Sequence, residues 1–124
     1  MKLTRYELEV MDILWRLGEA SVREIQEAIV DRKQPAYTTV QTIVSRLEVK
    51  GAVKRTRRIS NALLFQAAVT RKSAYRRIID ELLDLFGGSA QPVVAHLLEN
   101  GKLTLEDLTA LEEVAGRKPK GGKR

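Results

Sequence analysis

Residues 37–58 read YTTVQTIVSRLEVKGAVKRTRR, and the hydrophobic period changes within them. In the first half Val40, Ile43, Val44 and Leu47 recur at i, i+3, i+4 and i+7, which is one apolar face of a helix. That helix is expected to begin near Tyr37 or Thr38 and to end at Lys50-Gly51, where a basic residue followed by glycine is a stop signal. The second half turns β-prone. Ala52–Thr56 and Leu63–Ala67, joined by a turn around Ser60-Asn61, read as a hairpin.

The side of the helix opposite the apolar stripe holds Thr38, Gln41, Thr42 and Ser45, with no carboxylate among the four. A merely solvated face would normally carry Glu and Lys, which are better helix formers than threonine. Small hydroxyls and one amide instead suit contact with base edges. Gln can bond adenine in two places, and Thr can bond a base or touch a thymine methyl. Arg46, just off that face, can reach a phosphate or a guanine. The hairpin carries Lys54, Arg55, Arg57 and Arg58. Four like charges in five residues repel unless something anionic is near.

Upstream, Thr4 and Glu7 form a capping-box pattern, followed by Tyr6, Val10, Ile13, Leu14 and Leu17 as the expected buried face of a first helix that Gly18 stops. Ser21 and Glu24 repeat the box, with Val22, Ile25 and Ile29 lining a second, shorter helix, and a loop through Asp31 to Pro35 follows. Three short helices and a basic hairpin define a winged helix-turn-helix. In that unit the third helix enters the major groove and the hairpin rides on phosphates. Domain boundaries are expected at 1–70 for this unit, 71–115 for a helical segment, and 116–124 for a disordered basic tail. The fold class is therefore mainly α with a small β-hairpin wing.

Downstream, Tyr75, Ile78, Ile79, Leu82, Leu83 and Phe86 stripe a fourth helix from about Lys72, ended by Gly87-Gly88. Ser89 and Pro92 fit the start of a fifth, with Val93, Val94, Leu97 and Leu98, closed by Asn100-Gly101. Thr104 caps a sixth with Leu105, Leu108, Leu111 and Ala115. The expected tail from Gly116 to Arg124 carries five Lys or Arg.

Charge follows the same division. Residues 32–72 hold ten basic side chains against one acid, Glu48, while residues 73–115 hold three against eight acids. One half is built to meet a polyanion and the other is not. The 124 residues include no cysteine and one histidine, His96. Thiolate metal sites and disulfides are thereby excluded, no metal or cofactor is expected, and a cytoplasmic setting fits. No run approaches the ~20 apolar residues of a membrane span, and no catalytic constellation or glycine-rich phosphate loop is present, so an enzyme is the least favoured reading. Base contact is expected from Thr38, Gln41, Thr42, Ser45 and Arg46. Phosphate contact is expected from Thr39, Lys50, Lys54, Arg55, Arg57 and Arg58. Tyr37 stands between packing and a phosphate hydrogen bond. Trp15 and Tyr6 read as core or domain-contact residues.

The elements Glu7-Leu8-Glu9-Val10-Met11 with Leu14-Trp15, Tyr37-Thr38-Thr39-Val40-Gln41-Thr42, and Arg46-Leu47 with Lys50-Gly51 resemble the penicillinase-repressor family (BlaI/MecI/CopY). The resemblance spans about residues 3 to 115 and is strongest in the first 55. It implies a homodimer that binds a pseudo-palindromic operator and blocks transcription through an N-terminal winged helix and a C-terminal helical dimerisation segment. The residues agree on the dimer, because three short helices with continuous apolar stripes are too few to bury those faces alone. Tyr75, Ile78, Ile79, Leu82, Leu83, Phe86, Val94, Leu97, Leu98, Leu108 and Leu111 are the expected interface.

Two departures bear on control. Protease-controlled members carry an Asn-Phe pair inside the fifth helix, where this chain has His96-Leu97, and copper-responsive members carry C-terminal cysteines, which this chain lacks. A small-molecule or protein inducer stays open. The wing is one residue longer than in those relatives, and the aromatic pair of its return strand is reduced to Phe65 with Leu63. The alternative to a repressor is a winged-helix module that docks on a protein or RNA.

Overall fold

In the computed structural model, which describes residues 2–30 and 34–117, both capping boxes form. The Thr4 hydroxyl accepts from the Glu7 amide and the Glu7 carboxylate from the Thr4 amide, opening α1 (Arg5–Leu17). Ser21 and Glu24 do the same for α2 (Val22–Ala28). Between them Glu19–Ser21 forms a three-residue strand, β1. The third helix, α3, is Tyr37–Val49. It is followed by β2 (Val53–Ile59), β3 (Ala62–Ala67) and α4 (Arg71–Leu85), then α5 (Gln91–Glu99) and α6 (Leu105–Arg117). The three strands make one antiparallel sheet in the order β1-β3-β2. The chain divides into two units between Asp80 and Glu81.

In the first unit the core gathers Val10, Met11 and Leu14 of α1, Ile25 of α2, and Val40, Val44 and Leu47 of α3. Phe65 of β3 closes it from the sheet side. Each fully buried aliphatic side chain contributes about 1.5–3 kcal/mol by leaving water. Two residues expected on the buried face of α1, Tyr6 and Leu17, are exposed at 62% and 49%. Val10, Ile13 and Leu14 are buried as expected, and Met11 and Glu7, the latter at 2%, are buried with them, so the expected stripe holds at its centre and departs at its ends.

The junction from α3 to the wing depends on Gly51, at φ +81. The Ala52 amide donates to the Leu47 carbonyl (2.9 Å) and the Gly51 amide to Glu48 (3.0 Å), the two bonds of a Schellman cap. Past the wing, the Trp15 indole donates to the Val69 carbonyl at 2.9 Å. The Tyr75 ring meets Trp15 edge-on at 6.0 Å, and the Arg71 guanidinium lies 5.3 Å from the Trp15 ring centroid. Trp15 thus ties the start of α4 to α1.

In the second unit the helix after α4 starts without a side-chain cap at Ala90, with Pro92 in its first turn. Ser89 takes a bond from the Gln91 amide. Thr104 and Asp107 form a reciprocal box at the start of α6. Gly116 and Arg117, expected in a disordered tail, are the last two residues of α6. The rest of that tail, 118–124, and residues 31–33 of the expected loop lie outside the described residues. From 81 to 116 no residue is buried.

Candidate nucleic-acid interface

Packing fixes which way α3 faces. With Val40, Val44 and Leu47 in the core, Thr38, Thr39, Gln41, Thr42, Ser45 and Arg46 are all exposed. The Thr42 hydroxyl donates to the Thr38 carbonyl at 2.9 Å, so outward it presents its methyl and an acceptor. Ala36 gives α3 no side-chain cap, and the first turn carries no acid. The positive end of the helix is therefore left free for an anion. Arg23 of α2 lies 5.4 Å from the Tyr37 ring centroid in a cation–π contact.

The wing is irregular where its charge is concentrated. Lys54 pairs with Gln66 and Arg55 with Phe65, but Arg58 pairs with Leu63, a slip of one residue. The extra residue of β2 forms a bulge at Thr56-Arg57. Its effect on side-chain direction follows from the register. Arg55 and Arg58 oppose Phe65 and Leu63, which share a face, so both point to the side of α3. Lys54 shares the other face with Gln66 and Glu19, which pair across β3. Strict alternation would put Arg57 with Arg55, yet Arg57 reaches Glu19. The turn at the tip uses Ser60 at φ +56.

These cations differ in their partners. The Arg55 Nε donates to Glu48 Oε2 at 2.7 Å and its Nη2 to Oε1 at 3.4 Å. Arg57 donates from Nε (3.2 Å) and Nη2 (2.9 Å) to Glu19 Oε1. The Thr56 side chain beside it and then the Arg57 guanidinium hold Glu19 below the usual carboxylate range. The Arg58 guanidinium has, among the described residues, only a long bond to the Asn61 carbonyl, 3.4 Å. Among the described residues Lys54 makes no ion pair. Lys50 is engaged inward. Its ammonium donates to Glu7 Oε1 at 2.6 Å and to the Lys2 carbonyl at 2.7 Å. Burial, the largest influence on Glu7, pushes its carboxyl up. The Lys50 bond and charge and the Thr4 amide together outweigh it and leave the group below its ordinary value.

Between α3 and the wing runs a groove of about 540 Å³. Gln41, Ser45 and Glu48 form one wall and Arg55, Leu63 and Phe65 the other, with Arg23 and Tyr37 at its end. Of its polar lining, Tyr37, Gln41, Ser45 and Arg55 are expected at the site from the sequence, whereas Arg23 and Glu48 are not, and neither is Glu19 beside the wing. Glu48 had a signal, as the single acid within residues 32–72. Glu19 and Arg23 had none, because their relevance is created by tertiary contact. Among the described residues no cluster of His, Cys, Asp or Glu could hold a metal, and His96 is an exposed residue beside Asn100.

Of the residues expected at a dimer interface, Tyr75 packs on Trp15 within the first unit. Along α4, Ile79, Leu82 and Phe86 are exposed and Ile78 and Leu83 half-buried. In α5 and α6, Val94, Leu98 and Leu111 are exposed and Leu97 and Leu108 half-buried.

Three helices and a three-stranded sheet that ends in a basic hairpin make this a winged-helix fold. Solved structures agree: wild-type MarR from E. coli in its apo form superposes with a TM-score of 0.55 at 17% identity, covering 93% of this chain and 76% of that one. A mutant of MarR from E. coli complexed with operator DNA gives 0.54 at 17% identity, covering 94% and 75%. The chain belongs to the penicillinase repressor family, whose pattern it matches over residues 3–117. The penicillinase repressor of Staphylococcus aureus is 23% identical over 115 residues, 92% of this chain and 90% of that protein. The transcriptional regulator BlaI of Mycobacterium tuberculosis is 45% identical over 60 residues, 45% of this chain and 44% of that protein. Among the described residues no helix is long and apolar enough to cross a membrane.

Proposed function

We propose that the protein is a transcriptional repressor that binds double-stranded DNA sequence-specifically as a homodimer, with α3 in the major groove and the wing on the phosphates. It has no catalytic role in this reading and acts in the cytoplasm. The observation that carries it is the outward face of α3. Thr38, Gln41, Thr42, Ser45 and Arg46 are exposed together, carboxylate-free, and flanked by a wing with four cations. In this reading Gln41 and its neighbours read bases, while Tyr37, Thr39, Lys54, Arg55, Arg57 and Arg58 meet phosphates. Lys50, held by Glu7, acts on the fold before it acts on DNA. The second copy covers the apolar stripes of α4, α5 and α6, which leave no residue buried from 81 to 116, and sets two reading helices about one DNA turn, or a multiple, apart.

The test separates the two kinds of contact. Gln41→Ala is expected to cost ~1–3 kcal/mol on the operator and little on other duplexes. Arg58→Ala is expected to weaken binding to every duplex and to lower the salt slope by about one. Anisotropy titrations of both variants read this directly. Wild-type binding by both would defeat the docking mode, and a preference for RNA or a protein partner over any duplex would favour an interaction module.

A further inference from the structure

Both paired wing arginines are held by the same edge, Arg55 by the two oxygens of its carboxylate and Arg57 by one. Arg55 meets Glu48, and Arg57 meets Glu19, through Nε and Nη2. These two nitrogens form the lateral edge of the guanidinium. The terminal edge, made by Nη1 and the outer hydrogen of Nη2, has no protein partner in either residue among the described hydrogen bonds. A planar guanidinium carries five donors in a rigid fork, so a carboxylate on one edge fixes the direction in which the other points. Arg55 lines the groove between α3 and the wing together with Gln41 and Ser45.

We propose that Glu48 and Glu19 are positioning residues for DNA binding: each holds a wing arginine by its lateral edge so that the terminal edge is presented, already ordered, to a phosphate. The inference rests on the DNA-binding reading and adds to it two acids on a surface that would otherwise be expected to exclude them. The bulge at Thr56-Arg57 belongs to the same device. By turning Arg57 off the Arg55 face it gives each arginine its own carboxylate, one on α3 and one on β1. The ion pairs themselves, with arginine side chains 60% and 64% exposed, contribute little to stability. Their effect is on ordering: a long side chain already fixed loses less freedom when it meets its ligand.

The sign of the effect is the test, because simple electrostatics predicts the opposite. Removing a negative charge near phosphates should tighten binding, whereas removing a positioning group should weaken it. Full-length wild type, Glu48→Gln, Arg55→Ala and the double variant are titrated by anisotropy against a mixed-sequence duplex at low salt. Glu48→Gln is expected to bind about 2- to 10-fold more weakly, with no further loss on the Arg55→Ala background. Arg55→Lys, which keeps the charge but cannot use two edges, is expected to lose a similar factor. Nitrogen-detected or heteronuclear NMR of the free protein should show a hydrogen-bonded Arg55 Nε–H that disappears in Glu48→Gln. Binding of Glu48→Gln as tight as wild type or tighter, full binding by Arg55→Lys, or no protected Nε–H in the wild type would each overturn the proposal. Failure of the wild type to bind the duplex would instead remove the DNA-binding reading on which it stands.

Discussion

Glu7 is nearly inaccessible to water, yet it is charged, because it accepts from two groups at once. It accepts from the Thr4 amide to cap α1 and from the Lys50 ammonium at 2.6 Å, and Lys50 in turn closes the Lys2 carbonyl. Since its carboxyl sits below the ordinary value of 4.5, its contribution is complete above that pH and is lost as pH falls through the lower folded-state value. Thermal melts should therefore show wild type losing stability on acidification below about pH 4.5. Glu7→Gln, less stable at neutral pH by about 1.5–3 kcal/mol, should lose less over the same interval. A constant gap between the two proteins at all pH values would show that the pair is not linked to folding. Glu7 also explains why the buried face of α1 departs from the sequence expectation at its ends, Tyr6 and Leu17. A period of apolar residues cannot register a carboxylate that becomes buried only because a lysine 43 positions away covers it. With Glu7 inside, Met11 follows inward, and Tyr6 and Leu17 turn out.

At the scale of elements, the capping boxes, the helical stripes and the α3-to-wing change of period are local, and they were legible for that reason. Strand β1 was not: three residues carry no period, and Glu19–Ser21 becomes a strand only by pairing with Leu64–Gln66. The extra residue of the wing could be counted in the sequence, but its consequence, Arg57 beside Glu19 and Arg55 beside Glu48, required the register. The hinge of these elements is Gly51. A Cβ there would meet no neighbouring atom, so the strain of Gly51→Ala is that of the left-handed backbone alone, about 1–2 kcal/mol. The variant should melt earlier by that amount and, by shifting the wing relative to α3, weaken duplex binding more than it weakens folding. A melting temperature equal to wild type would show that the cap tolerates a side chain, and the junction would then not be the constraint described.

At the scale of the whole molecule the chain is asymmetric in charge and in burial. The basic, well-packed first unit holds the candidate site, and in the second residues 81–116, with seven acids against one lysine, leave their apolar stripes open. Leu82→Glu, placing a charge on the exposed stripe of α4, should convert a species of twice the chain mass to a monomer in sedimentation velocity. Because two half-sites would then be bound independently, it should also weaken binding to a two-half-site duplex far more than to a single half-site. An unchanged sedimentation coefficient would remove Leu82 from the interface. The stripes themselves were visible in the sequence as periods. What covers them was not, since a symmetric partner leaves the same apolar pattern as a buried core.

The central claim is that α3 reads sequence while the wing supplies salt-dependent affinity. It is tested most directly by titrating the purified protein against duplex DNA from upstream of its own gene and against a shuffled duplex of equal length, at two salt concentrations. The account predicts tight binding that falls steeply with salt and is at least ~10³-fold stronger on the native duplex. Absence of binding to either duplex at low salt would contradict it.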